Sequence, residues 1–147
     1  MSLPLPLTFH HVGCAVKDLE GGLATYVGAL GPRRRSRVFD ISTQGVRVCF
    51  VEIGPGSYLE LIQASATPSP IDRYAKTGFY HLCFLVDDLG AVTGALAGGF
   101  VALPPFASEA FDGRRCQFLL TPESHLVELA EMTPPAFAAF FGASLGA

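Results

Sequence analysis

Four residues of this 147-residue chain combine metal-binding chemistry with matching positions: His11, Glu60, His81 and Glu128. His11 opens the phrase HVGCAVKDL and His81 opens HLCFLVDDL; each phrase places Val five residues later and closes on Asp-Leu. The two histidines are offset by 81 − 11 = 70 residues. Glu60 lies in YLELI and Glu128 in LVELA, offset by 128 − 60 = 68. Two landmarks that agree within two residues identify an internal duplication. A duplicated module packs about a pseudo-twofold axis, so one His and one Glu from each half can converge on one point. Two imidazoles and two carboxylates suit a divalent cation of borderline hardness, Zn, Ni, Co, Mn or Fe. Four protein donors on a larger coordination sphere still leave room for water or substrate.

The elements that position these groups follow from the same alignment. Each half predicts a strand, 8–16 and then 79–86, ending before an aspartate, Asp18 or Asp88, suited to cap a helix. Helices are expected over 19–30 and 89–98, weakened by Gly21, Gly22 and Gly94. Three strands follow in each half. They are divided at Gln44-Gly45 and Gly54-Pro55-Gly56 in the first, and near Asp112-Gly113 and Pro122-Glu123-Ser124 in the second. The pattern is βαβββ twice, an α+β chain of two modules, 7–66 and 77–133, forming one domain over 7–133. The loop SATPSPIDRYAKTG joins them, and 134–147 is an apolar C-terminal helix or tail with Phe137, Phe140 and Phe141 at helical spacing. Strand alternation puts His11 with Gly13 and Ala15, His81 with Cys83 and Leu85, Glu60 with Tyr58 and Ile62, and Glu128 with Leu126 and Ala130. On the same rule His10 faces away from His11 and is no ligand.

Composition narrows the function classes. The formal net charge of −3 offers no general attraction for nucleic acid. The run from Leu89 to Ser108 is uncharged over about 20 residues, long enough to span a bilayer, but its four glycines and two prolines read as buried helix, turn and strand, so no membrane association is expected. The N-terminal MSLPLPLTF has no basic start and reads as no signal peptide. Four cysteines without a CxxC pair fit free thiols in a reducing cytoplasm. Charged residues are only 16% of the chain, which points to a covered face or a lined cavity and to a homodimer.

The phrases HHVGCAVKDL, YLELI, YHLCFLVDDL and LVELAE, with SPIDRY between them, resemble the vicinal oxygen chelate superfamily, which includes glyoxalase I and methylmalonyl-CoA epimerase. The resemblance covers about 8–132 and leans toward the epimerase-like branch. It implies a cup-shaped mixed sheet of two βαβββ modules around one metal, with His11, Glu60, His81 and Glu128 as ligands. It further implies a metal-dependent isomerase, epimerase or lyase moving a proton next to a carbonyl of a small anionic substrate, such as a CoA or glutathione thioester. Glu128 is then the first candidate base and Glu60 the second. Alternatives within the fold are a lactoylglutathione lyase of the glyoxalase I type, an extradiol dioxygenase, and a non-catalytic binding or resistance protein. A fourth protein ligand argues against the dioxygenase, which needs open positions, and retention of all four argues against the binding module.

One position departs from the pattern. Epimerases of this family resemble E-x-G-V before the third strand, where the Glu supplies one of two opposed bases; this chain reads Thr43-Gln44-Gly45-Val46. A hydroxyl of ordinary pKa is no base near neutrality, and Glu52 is expected in solvent. Arg33, Arg34, Arg35 and Arg37, with Arg114 and Arg115, have the fork geometry for phosphate or carboxylate but equally suit a solvated edge. His125 is expected at the surface, and Cys83 beside the pocket without a ligand role.

Overall fold

The computed structural model describes residues 6–73 and 78–146, so Tyr74 to Thr77 of the linker lie outside the described residues. The first half contains β1 (Thr8–Ala15), α1 (Leu19–Leu23), β2 (Phe39–Ile41), β3 (Val46–Gly54) and β4 (Ser57–Ala64). The second contains β5 (Gly78–Val86), α2 (Leu89–Leu96), β6 (Val101–Ala102), β7 (Phe106–Ser108), β8 (Arg114–Leu120) and β9 (Leu126–Glu131), and α3 (Pro134–Ala143) follows. Both helices start at the expected aspartates: the Gly21 amide donates to Asp18 at 2.7 Å and the Ala91 amide to Asp88 at 2.9 Å. The first helix spans Leu19–Ala29, close to the expected 19–30, but only its first five residues, α1, are α-helical. After two glycines it widens into a π-helix, Ala24–Ala29, closed by the Leu30 amide donating to the Thr25 carbonyl. Gly45, Gly56 and Gly113 take positive φ at the strand breaks, where a side chain would be strained.

All strands belong to one curled sheet in the order β2-β3-β4-β1-β5-β9-β8-β6, with β7 also pairing β8. Within each half the first and last strands run parallel, β1 with β4 and β5 with β9. The halves meet where β1 and β5 run antiparallel at the centre. The second module's edge strand is split rather than continuous: Pro104 and Pro105 lie between β6 and β7 and have no amide to donate to β8. The architecture is therefore an α+β fold with a mixed sheet curled into a half-barrel.

Side-chain alternation sorts the sheet into two faces. Leu59 and Leu61 of β4 pack outward with Leu19 beneath α1, and Val86, Leu119 and Leu129 pack outward with Leu89 and Val92 of α2. The inward face carries the largest core, where Phe39, Phe50, Tyr58 and Phe111 meet Phe137 and Phe141 of α3. α3 thus plugs one end of the half-barrel with its own phenylalanines, Thr133 accepting the Ala136 amide as its cap. The other end stays open as a cup.

Candidate metal centre

The parallel pairing in each half sets a Glu beside a His. Gly13 of β1 lies opposite Glu60 of β4, and Cys83 of β5 opposite Glu128 of β9. The central antiparallel pairing then sets His11 opposite Cys83 and Gly13 opposite His81, bringing the two halves together. At the junction His11 Nε2 lies 3.0 Å from His81 Nε2. Glu60 Oε1 is 3.4 Å from His11 Nε2 and 3.6 Å from His81 Nε2; Glu128 Oε1 is 3.3 and 3.4 Å from the same atoms. The four residues are buried and one donor atom of each lies within 4.8 Å of all the others. Glu60 and Glu128 share the inward face with Tyr58, Ile62 and Ala130, as alternation required.

These spacings fit a bound cation. Donors about 2.1 Å from a zinc-like ion are separated by about 3.0 Å at a right angle and about 3.4 Å at the tetrahedral angle. Two bare Nε2 lone pairs at 3.0 Å would repel, so a shared proton or a cation must lie between them. Among the described residues the buried Glu128 Oε1 has no aligned hydrogen-bond partner despite its nearness to both imidazoles, the condition expected of a ligand atom.

The same geometry sets the electrostatics of the metal-free cluster. Burial disfavours the His11 imidazolium, but Glu60 and Glu128 outweigh it and raise its pKa to about 9. Burial likewise disfavours the Glu128 carboxylate, yet the contacts and charges of His11 and His81 hold it well below the usual carboxylate range. Without a metal the cluster is thus a buried ion pair.

Two irregularities of β1 and β5 matter more than any regular pairing. The ladder passes from Phe9↔Phe84 to His11↔Cys83, leaving His10 unpaired, and from Gly13↔His81 to Cys14↔Phe79, leaving Tyr80 unpaired. Each is a β-bulge immediately before a histidine, and a bulge turns two successive side chains to one side. His10 consequently faces inward beside His11, Nδ1 to Nδ1 at 2.7 Å, and does not face away as strand alternation suggested. Tyr80 turns into the cup, its ring 4.6 Å from that of His81. Burial, and next the Glu60 and Glu128 charges, push its phenol well above the ordinary tyrosine range. The available sequence signal was the repeat itself: 10 and 80 carry the same offset of 70 as the histidines.

Over the cluster opens a cavity of about 630 Å³, lined by Glu60 and Glu128, by Tyr80, Thr43 and Ser108, and by apolar side chains such as Ile41, Val48 and Phe118. Thr43 stands in this wall and its hydroxyl donates to the Ala107 carbonyl at 3.3 Å, linking the two modules. Among the described residues no arginine or lysine lines the cavity. The arginine run is engaged elsewhere: Arg34 pairs with Glu52 at 2.8 Å, Arg37 stacks over Phe39, and Arg115 reaches Glu131 at 3.3 Å. That pairing also removes Glu52 from the cup. His125 is exposed, and Cys83 is fully buried in the core and absent from the cavity wall. All four cysteines are free.

A search of curated protein sequences returned no match. Solved structures similar to the chain include a hypothetical protein from Bacillus halodurans C-125, at 26% identity over 86% of this chain and 95% of that one, with a TM-score of 0.73. The methylmalonyl-CoA epimerase of Mycobacterium tuberculosis shares the fold, at 23% identity over 94% and 97% of the two chains, TM-score 0.77. A variant methylmalonyl-CoA epimerase of Streptomyces coelicolor in complex with 2-nitronate-propionyl-CoA is similar at 26% identity over 85% and 97%, TM-score 0.72. The family model described as Glyoxalase/Bleomycin resistance protein/Dioxygenase superfamily matches residues 10–118. That span runs from β1 into β8 and takes in both halves of the repeat, so the chain belongs to the glyoxalase/bleomycin resistance protein/dioxygenase superfamily.

Proposed function

We propose that the protein is a divalent-metal-dependent isomerase, epimerase or lyase that moves a proton next to a carbonyl group. The observation that carries this reading is the convergence of His11, Glu60, His81 and Glu128, of which Glu60 and Glu128 line a cavity large enough for a small acyl group. A divalent cation held by these four would supply Lewis-acid polarisation of a substrate oxygen. Glu60 and Glu128 both reach the cavity wall, so either carboxylate can meet a substrate C–H; Glu128, first in rank, is the proposed base. Tyr80, held neutral, offers a phenolic donor beside the same point. The apolar wall takes up an uncharged acyl portion and excludes water from the developing charge. An anionic carrier such as a CoA or glutathione moiety would then lie outside the cup.

With Thr43 in the wall and no carboxylate there, the described cup holds its two acidic groups together at the floor. A single base returns the proton to the face from which it came. This favours exchange or a 1,2-shift over full epimerisation. The test is α-deuterium incorporation into acyl thioesters and hemithioacetals in D₂O by protein loaded with Zn, Ni, Co, Mn or Fe. Incorporation that disappears in Glu128→Gln supports the reading; no incorporation with any metal counts against it.

The homodimer expectation is retained as part of the proposal. Phe79 and Leu82 are 65% and 43% exposed on the outer face of β5, between the two outer helices, and a second copy would cover them. Sedimentation of the wild type against Leu82→Glu checks it. Among the described residues no helix is long and apolar enough to cross a membrane; residence in a reducing cytoplasm is proposed from the four free thiols.

A further inference from the structure

Among the described residues His10 makes one polar contact, and it is to a residue of the converging cluster: its Nδ1 lies 2.7 Å from His11 Nδ1. Two ring nitrogens at that distance share one proton, so one must be a bare acceptor. The surroundings of His10 decide which. Its ring is 1% exposed and enclosed by Phe50, Tyr58, Phe111 and Phe137, the last perpendicular to it at a centroid distance of 4.0 Å. Its buried Nε2 has no hydrogen-bond partner among the described residues. Aromatic rings can accept an N–H through their faces but supply no comparable donor to a bare ring nitrogen. The proton of His10 therefore belongs on Nε2, its Nδ1 is bare, and the shared proton is carried by His11 Nδ1.

We propose that His10 is the positioning residue of this cluster: a fixed acceptor, locked in an aromatic cage, that keeps a proton on His11 Nδ1 and so reserves the His11 Nε2 lone pair for a cation. The proposal rests on the metal-centre reading above. Groups that hydrogen-bond the distal nitrogen of a ligating imidazole set its tautomer and orientation. The duplication makes the assignment specific to one half. Tyr80 occupies the equivalent bulge before His81, yet the buried His81 Nδ1 has no hydrogen-bond partner among the described residues. Among the described residues the Nδ1 of His11 is thus anchored by a hydrogen bond, and the Nδ1 of His81 by none.

The tautomer is read without any metal by ¹⁵N-resolved NMR of the histidine rings in the full-length, metal-free protein. The expected spectrum has His10 protonated at Nε2 and bare at Nδ1, with the intervening proton on His11 Nδ1. A proton on His10 Nδ1 overturns the proposal. Cobalt(II) titration, followed by its visible absorption, then separates hydrogen bonding from packing. His10→Phe keeps the aromatic volume and loses the acceptor; His10→Asn keeps an acceptor and leaves a void. The expected result is a loss of about 10–100-fold in cobalt affinity for His10→Phe, with its melting temperature near the wild type. His10→Asn should show the reverse, a lower melting temperature with affinity close to the wild type. Affinity that follows melting temperature in both variants overturns the positioning role. Wild-type protein that binds no cobalt overturns the metal-centre reading instead, while the NMR result still judges the tautomer.

Discussion

Gly13 lies opposite His81 in the central ladder, and the space its side chain would fill is occupied by the His81 imidazole. A Cβ added there would overlap Cε1, Nδ1 and Nε2 of His81. The requirement is for room, created by the close approach of β1 and β5, and it makes one small residue a determinant of where a candidate ligand points.

Gly13→Ala is therefore expected to push His81 out of register with the other three residues. Overpacking of this kind costs about 1–3 kcal/mol of stability, and cobalt affinity should fall with it. Chemical denaturation and metal titration of one preparation check both. Wild-type affinity in Gly13→Ala would mean that His81 is no ligand.

Binding of a cation to the folded state alone must stabilise it. Zinc or cobalt at 100 times its dissociation constant should add about 2.7 kcal/mol, seen as a rise in melting temperature. His81→Ala and Glu60→Ala should each lose most of that rise. A wild-type melting temperature indifferent to every divalent metal would contradict the site.

The metal-free protein should have a distinctive pH dependence. His11 titrates near 6.5 when unfolded and at about 9 when folded. Its stabilising contribution is complete below pH 6.5 and is lost as pH rises through 9. Glu128, depressed in the fold, is the other end of the same ion pair, and its contribution disappears as pH falls below the ordinary carboxylate range. Denaturation midpoints of metal-free wild type should therefore drop between pH 6.5 and 9, and those of His11→Ala should not. With metal present the slope should reverse, since imidazole must lose its proton to bind.

Thr43 allows the number of bases to be counted. If Glu128 is the single base, Glu128→Gln should slow α-proton exchange by about 10²–10⁴-fold even in protein whose metal content, measured on the same sample and restored by excess metal, equals that of the wild type. Thr43→Glu adds a carboxylate to the cavity wall and should raise racemisation relative to exchange. Chiral analysis of the product in D₂O distinguishes the two processes.

Phe137 joins the C-terminal helix to the site by packing its ring against that of His10. Phe137→Ala removes a fully buried aromatic and should cost about 3–5 kcal/mol. It should also broaden the His10 and His11 ring signals by freeing the cage. Sharp, unshifted signals would show that α3 is only a plug.

Much of this was readable from the chain because it is local or repeated. The offsets of 70 and 68 identified the two modules, Asp18 and Asp88 marked the helix starts, and two-residue alternation placed Glu60 and Glu128 on the inward face. The helix after β1 was bounded within a residue, but its widening from α to π geometry after Gly21 and Gly22 was not legible. Reading His10 as outward-facing failed for a definable reason. A bulge is a property of two paired strands, and the partner that creates it, β5, lies some 70 residues away. The arginines too were uninformative in sequence, since an ion pair such as Arg34 with Glu52 exists only once β3 passes the preceding loop.

The sequence by itself determined the repeat, the strand faces and the four residues proposed to hold a metal, since periodicity and residue type are properties of the chain. Tertiary structure alone decided that His10 and Tyr80 turn inward, that Gly13 makes room for His81, and that aromatic rings close one end of the half-barrel and leave the other open. These depend on which strand lies beside which, and strand neighbours are chosen by burial across the whole fold.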